Sequence, residues 1–333
     1  MRARRTLALV AAAALGITTP TLPAIAQASG PATGRAASAV GASAVPCLTG
    51  AALRDDEVPV WRRGQLEDTP PVTATDLEAT GADETTRRSI QAEVEPVLPA
   101  RVTIPVYVHV LQGRHRGERN PFGPRRVAQA LRILNGAFAG DQSLESAPTR
   151  YRFELRGTDR TKRDGWYHAY NNGPRDTLMK RALHRGGRTS LNLYVNRGGA
   201  PGVPVLGWAR FPWRAAGTRL DHVSVNVDAM PGGEARGYNE GDTLVHEVGH
   251  WMGLFHTFEG GCEGRGDVVS DTPAEAEPEF DCTEGRDTCE QQPGLDPVRN
   301  FMDYSLDACM DQFTEGQVRR MDRVFAQYRS SRS

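Results

Sequence analysis

The 333-residue sequence lacks an excess of charge of either sign, because 40 lysine and arginine residues are balanced by 41 aspartate and glutamate residues. This balance gives no reason to expect nucleic acid or an anionic membrane as the main partner. After the N-terminus, the sequence also lacks an apolar run of the roughly 20 residues that a membrane-spanning helix needs. We therefore expect no nucleic-acid partner and no stable membrane association.

The one marked apolar run lies at the N-terminus and is typical of a secretory signal peptide. Three of the first five residues are arginine, residues 7–17 are apolar, and Ala24-Ile25-Ala26 offers a small-residue cleavage site. Cleavage after Ala26 is the first choice and cleavage after Ala28 the second. Residues 1–28 are thus interpreted as a signal peptide, and the mature protein is predicted to be secreted and extracellular.

The sequence changes character near residue 98. Residues 29–97 are rich in Ala, Gly, Ser and Pro, which predicts a largely irregular prosegment or linker. Residues 98–333 are predicted to form the folded domain, beginning with an alternating apolar pattern that indicates a strand. Strands and helices then alternate, which predicts a mixed sheet backed by helices. The strands are predicted over 102–110, 151–155, 191–195 and 222–227, and the helices over 124–138 and 174–183.

The rest of this domain has weaker periodicity. Residues 207–213 are interpreted as an edge strand that ends at Pro212, although their aromatic side chains could equally serve surface packing. Residues 259–299 are dense in Gly, Asp, Pro and Cys, which predicts a loop-built subdomain held by disulfides rather than by a large core. Apolar residues at helical spacing predict a final helix over 314–328.

The most informative stretch runs from His246 to His256. On a helix, His246 and His250 project from one face about 6 Å apart, and zinc is the usual metal bound by such a pair. Gly253 can end the helix and turn the chain back, which makes His256 a third ligand. Three protein ligands leave a fourth position for water, as in a catalytic zinc site. Glu247 lies beside this position, where its carboxylate can take a proton from the metal-bound water.

The same stretch fits an amphipathic helix whose apolar back opposes the histidines. Asp242 or Thr243 is well placed as its N-cap.

The stretch from His246 to His256 resembles the zinc signature of the metzincins, a clan of zinc endopeptidases. Residues 250–258, 300–305 and 309–321 are similar to the pappalysin family, in particular to its secreted microbial branch. The resemblance covers roughly residues 100–330 and is specific over 240–321. It implies an α+β fold of two subdomains, with a mixed twisted sheet and helices above the cleft and a loop-rich, disulfide-held lower subdomain that ends in a helix.

The resemblance also implies roles for residues outside the histidine stretch. Met302 corresponds to the methionine of a tight turn that packs beneath the zinc ligands, without binding the metal. Tyr304 corresponds to a phenol beside the zinc that can donate a hydrogen bond to an oxyanion. Residues 207–213 correspond to the strand along which an extended substrate lies. Family members bind calcium near the acidic loop, so a structural Ca²⁺ site or merely solvated side chains are expected at Asp267, Asp271 and Thr272.

Five cysteines fit an exported protein. Four of them follow the histidine stretch and are expected to form disulfides rather than a second zinc site, with three connectivities open from the sequence itself. The pappalysin resemblance implies that Cys262 pairs with Cys289 and Cys282 with Cys309. Cys47 stands apart in the predicted prosegment, where its thiolate could occupy the open zinc position as a latch. An inert linker is the alternative for this region.

These observations predict a secreted zinc endopeptidase that acts on protein or peptide substrates, with Glu247 as the general base. A non-catalytic protein-binding module that keeps the metzincin fold is the alternative from another class. The intact Glu247 and histidines argue against it, because a binding module needs neither. A metzincin of another family is the alternative among enzymes, and the disulfide pairing distinguishes it.

Overall fold

The computed structural model describes residues 96–330 except for three short gaps, 116–117, 171–172 and 199–204. The predicted signal peptide, Cys47 and nearly all of the predicted prosegment lie outside the described residues.

Five strands form one mixed sheet in the order β2-β1-β3-β5-β4. Four of them run parallel, and the short edge strand β4 runs antiparallel to β5. The predicted mixed sheet is thereby confirmed. The strands are β1 (Val102–Gln112), β2 (Tyr151–Lys162), β3 (Leu191–Asn196), β4 (Gly207–Ala209) and β5 (Val223–Asn226).

Strand β2 is longer than predicted. The sequence indicated a strand only over 151–155, whereas pairing with β1 continues to Lys162. Beyond Leu155 the side chains of this edge strand are exposed or half-buried, so no apolar alternation marks them. Backbone pairing needs no apolar side chain, which is why the pattern ended before the strand did.

Helices cover both faces of the sheet. The helices are α1 (Pro124–Ala139), α2 (Asp164–Tyr167), α3 (Pro174–Leu183), α4 (Pro212–Ala215), α5 (Asp242–Trp251) and α6 (Glu315–Val324). Helices α1 and α5 pack on one face and against each other. The core on that face is continuous with Met302, Phe313 and Met321, so it joins the sheet to the C-terminal part of the chain.

The region between α5 and α6 is built from loops, as predicted. Its disulfides join Cys262 to Cys289 and Cys282 to Cys309, the two pairs that the pappalysin resemblance implies. Thr314 is the N-cap of α6, and its hydroxyl accepts the Gln317 N–H in a capping box. The helix continues as a π-helical turn over Phe325–Arg329. The chain thus has a sheet-based upper subdomain and a loop-rich, disulfide-held lower subdomain that ends in a helix.

Candidate metal centre

Helix α5 carries the first part of the histidine stretch, and its N-terminus is stabilised from elsewhere in the chain. Gly241 is the N-cap, with φ of 127°, and no side chain of its own caps the helix. The prediction of Asp242 or Thr243 as N-cap was therefore wrong. The Asp307 carboxylate instead accepts the N–H groups of Glu240 and Gly241, at 2.7 and 3.0 Å.

The C-terminus of α5 turns back in a Schellman motif. The Leu254 N–H donates to the Gly249 carbonyl at 3.0 Å, and the Gly253 N–H donates to the His250 carbonyl at 2.9 Å. Gly253 has φ of 99°, and a Cβ there would also collide with Val324 of α6. A residue without a side chain is required for both reasons, and the turn brings His256 back towards the helix.

The three histidines converge on one point. The Nε2 atom of His250 lies 3.0 Å from Nε2 of His246 and 3.2 Å from Nε2 of His256. All three side chains are buried. Within the described parts of the chain, this is the only group of three or more His, Cys, Asp or Glu residues whose ligand atoms lie within 4.8 Å of one another.

This arrangement fits a bound cation. The Nδ1 atoms of His246 and His250 lie 2.7 and 2.8 Å from the carbonyl oxygens of Phe301 and Leu254, so they donate their protons there. Each Nε2 is then left with a lone pair that faces another lone pair, which a shared cation would stabilise. Burial lowers the pKa of His246 to about 3 and that of His250 well below its usual range, which keeps both rings neutral. Three imidazole nitrogen donors suit zinc.

Glu247 is fully buried beside the histidines. Its side chain packs on Gly207 of the edge strand β4: a Cβ at Gly207 would lie 2.7 Å from both Cγ and Oε1 of Glu247. The glycine therefore lets the strand backbone approach this carboxylate closely. Gly207 was not singled out by the sequence, because the residue it accommodates lies 40 positions further along the chain.

Tyr304 lies beside the third histidine. Its hydroxyl is 3.1 Å from Nε2 of His256, and its ring makes an edge contact with the Phe258 ring, which in turn stacks on His256. A hydroxyl at this place can reach an oxygen bound next to the histidines.

The turn that contains Met302 lies beneath α5. The carbonyl that accepts the His246 proton belongs to Phe301, the residue just before Met302. Met302 is fully buried, and its sulfur lies so close to Gly249 that a Cβ on that glycine would overlap it. The turn thus orients one ligand through the backbone and supports the helix through the methionine.

The carboxylates of the acidic loop accept hydrogen bonds from other groups of the protein. The buried Asp267 carboxylate accepts the Thr272 hydroxyl at 2.7 and 2.8 Å and the Val269 N–H at 3.0 Å. The Asp271 carboxylate accepts the Thr314 hydroxyl and the Gly316 N–H at the start of α6. Asp267 and Asp271 accept hydrogen bonds from different groups, so these contacts do not bring the two carboxylates to one point. Calcium binding by this loop stays a prediction.

The fold and the centre define a class: a metzincin-type metalloprotease. Residues 190–326 match the model of the peptidase M43 family, described as pregnancy-associated plasma protein-A. An extracellular metalloprotease of Pyricularia oryzae is 42% identical over 247 residues, which cover 73% of this chain and 82% of that relative. An extracellular metalloprotease of Neurospora crassa is 38% identical over 272 residues, covering 76% and 90%. The chain belongs to the pappalysin family, peptidase M43.

Solved structures show the same fold. Mature mirolysin of Tannerella forsythia in complex with a cleaved peptide gives a TM-score of 0.54 at 24% identity, covering 70% of this chain and 100% of that one. A promirolysin variant gives a TM-score of 0.57 at 23% identity, covering 77% and 93%. The chain is an extracellular metalloprotease. Among the residues that the structure describes, no helix is long and apolar enough to cross a membrane.

Proposed function

We propose that the chain is a zinc-dependent endopeptidase in which Glu247 is the general base. The observation that carries this proposal is the convergence of three buried Nε2 atoms beside a buried glutamate. A zinc ion held by His246, His250 and His256 would polarise the scissile carbonyl and lower the pKa of the attacking water. Glu247 takes the proton of that water and passes it to the leaving amine. The Tyr304 hydroxyl donates to the oxyanion that forms.

The open edge of β4 supports an extended peptide as substrate. Backbone bonds to β5 are made at Leu206 and Arg210, through Asn226 and His222. Because such bonds alternate in an antiparallel pair, Gly207 directs its N–H and carbonyl away from β5. A peptide can add there as a further strand and would then lie against Glu247, which contacts Gly207.

A small pocket next to His246 is lined chiefly by Leu206, Tyr238, Phe280, Tyr304 and Met310.

Peptide cleavage tests the proposal. Protein freed of residues 29–97 is incubated with a mixed peptide library, alongside Glu247→Ala and a zinc-chelated sample. We expect cuts from wild-type protein that disappear in both, while Glu247→Ala keeps its zinc. Glu263→Ala, which alters an exposed glutamate, is the matched control and should cut normally. Cleavage by Glu247→Ala, or no cleavage by zinc-loaded wild-type protein, would contradict the assignment.

We further propose that residues 29–97 are an inhibitory prosegment with Cys47 as its latch. The lone thiol of this region supports the idea, since a thiolate can fill an open zinc position. Cys47→Ala should then make the unprocessed protein active, whereas Cys47→Ala protein that stays as inactive as the wild type would contradict the latch.

A further inference from the structure

The chain passes from the second histidine to the third through five residues, Trp251–Phe255, which we call the return segment. Two of its carbonyl groups, those of Trp251 and Gly253, accept hydrogen bonds from buried arginine side chains near the C-terminus. These arginines belong to α6 and the π-helical turn that follows it. The proposed catalytic mechanism gives no role to either arginine.

Arg320 acts next to the third histidine. Its side chain is buried, and its Nε donates to the Gly253 carbonyl at 2.9 Å. Its guanidinium carbon lies 5.0 Å from the centre of the Phe255 ring. Phe255 immediately precedes His256, so Arg320 contacts the return segment at both its turning point and its end.

Arg329 holds the beginning of the return segment. Its side chain is fully buried, and each of its five N–H donors has an acceptor. Two donate to the Trp251 carbonyl at 2.9 and 3.2 Å, two to the Asp221 carboxylate at 2.7 and 3.1 Å, and one to the Arg188 carbonyl at 3.0 Å. The guanidinium also lies 3.4 Å from the centre of the Trp251 ring, whose N–H donates to Asp221 at 2.8 Å.

These contacts fix geometry more than they add stability. Burying two charged groups has a large desolvation cost, and well-packed apolar side chains would stabilise the fold about as well. A planar guanidinium, in contrast, holds a carbonyl in one direction because its donors are rigid. The direction of the return segment decides where Nε2 of His256 lies relative to that of His250, now 3.2 Å away.

We propose that Arg320 and Arg329 are positioning residues that hold the return segment so that His256 completes the metal site. The inference rests on the proposed function, because it takes the three histidines to be zinc ligands. Removing either donor should loosen the third ligand while the first two stay fixed on α5. Zinc affinity and ligand geometry should therefore change more than the fold does.

Zinc binding to metal-free protein tests the proposal, measured by competition with a chromophoric chelator. Arg320→Met keeps a long apolar side chain at this buried position and removes the donor, so we expect zinc to bind about 10- to 100-fold more weakly. The absorption bands of the cobalt-substituted protein, which report ligand geometry, should shift. Arg320→Lys should recover part of the affinity, since it keeps one charged donor. Arg319→Met alters the exposed neighbour on the same helix and should bind zinc like the wild type.

Circular dichroism of the metal-free variants shows whether each is folded. Folded Arg320→Met with the affinity and cobalt spectrum of the wild type would overturn the proposal. If Arg320→Met does not fold, Arg320→Lys decides: weaker zinc binding supports the proposal, and unchanged binding with an unchanged spectrum overturns it. Wild-type protein that fails to bind zinc would instead refute the proposed function, so the two failures are distinguishable.

Discussion

Two glycines of the metal centre are packed so closely that one added methyl group would overlap a neighbouring side chain. Gly249 lies between the two helical histidines, and a methyl group there would overlap the sulfur of Met302. Gly207 leaves room for the Glu247 carboxylate in the same way. Close packing of this kind has little capacity to absorb an added carbon, because protein interiors are packed as densely as organic crystals.

The cost of one methyl group can be measured at Gly249. Gly249→Ala should destabilise the protein by about 1–3 kcal/mol, because Met302 or α5 must move to accommodate it. Gly136→Ala is the matched control: this glycine is also helical, and a Cβ there meets nothing within 4 Å. It should stabilise the protein by roughly 0.5–1 kcal/mol. Denaturant unfolding of both variants measures these changes, and equal effects would contradict the account.

At the scale of elements, α5 depends on distant parts of the chain for both of its ends. The Asp307 carboxylate accepts the N–H groups of Glu240 and of the N-cap Gly241, and the C-terminal turn of the helix packs against α6. The helix has only 10 residues, too few to be stable in isolation. Packing of α5 against other elements and the contacts at its two ends therefore keep the histidines in place.

Substitution of two aspartates tests whether Asp307 or Asp242 stabilises the N-terminus of α5. Asp307→Asn should lower the free energy of unfolding by about 1–2 kcal/mol, because a charged acceptor for two N–H groups is lost. Asp242→Asn should cost less, since the Asp242 side chain does not cap the helix and burial raises its pKa well above the usual range, which disfavours its charged form. Chemical denaturation of the two variants ranks them. A larger loss of unfolding free energy in Asp242→Asn than in Asp307→Asn would contradict the role given to Asp307.

The sequence predicted the elements whose signals are local. The spacing of His246, His250 and His256 relies on one helix and one turn, and the strands facing the core alternate in apolar character. The second half of β2 could not be predicted, because its side chains are exposed. Neither could Asp307, Arg320 or Arg329 be linked to α5, because they act across 66 to 78 positions of sequence separation.

At the scale of the whole molecule, the two faces of the sheet differ in chemistry. One face continues into the apolar core beneath the metal centre. The other carries buried ionisable groups: Lys180 of α3 lies 2.6 Å from Asp176 and also contacts His222. Burial lowers the pKa of Lys180 to about 8, against 10.5 for a free side chain.

This lysine gives the folded protein a predictable pH dependence. Between pH 8 and about 10.5 the unfolded chain binds more protons at this residue than the folded chain, so the Lys180 contribution to stability rises with pH. The double variant Asp176→Asn/Lys180→Met removes both charges and lacks this increase. Unfolding free energies at about pH 7 and pH 10 should show the wild type gaining by about 2–3 kcal/mol relative to the variant. A larger increase in unfolding free energy in the double variant than in the wild type would contradict this prediction.

Titration of metal-free protein with zinc, followed by peptide cleavage, tests whether the three histidines and Glu247 form a zinc peptidase site. We expect wild-type activity to rise until one zinc ion is bound per chain, since three histidines form one site. Glu247→Gln, which keeps the shape of the side chain, should bind the same single ion and stay inactive. Activity in Glu247→Gln, or in wild-type protein without metal, would contradict the account.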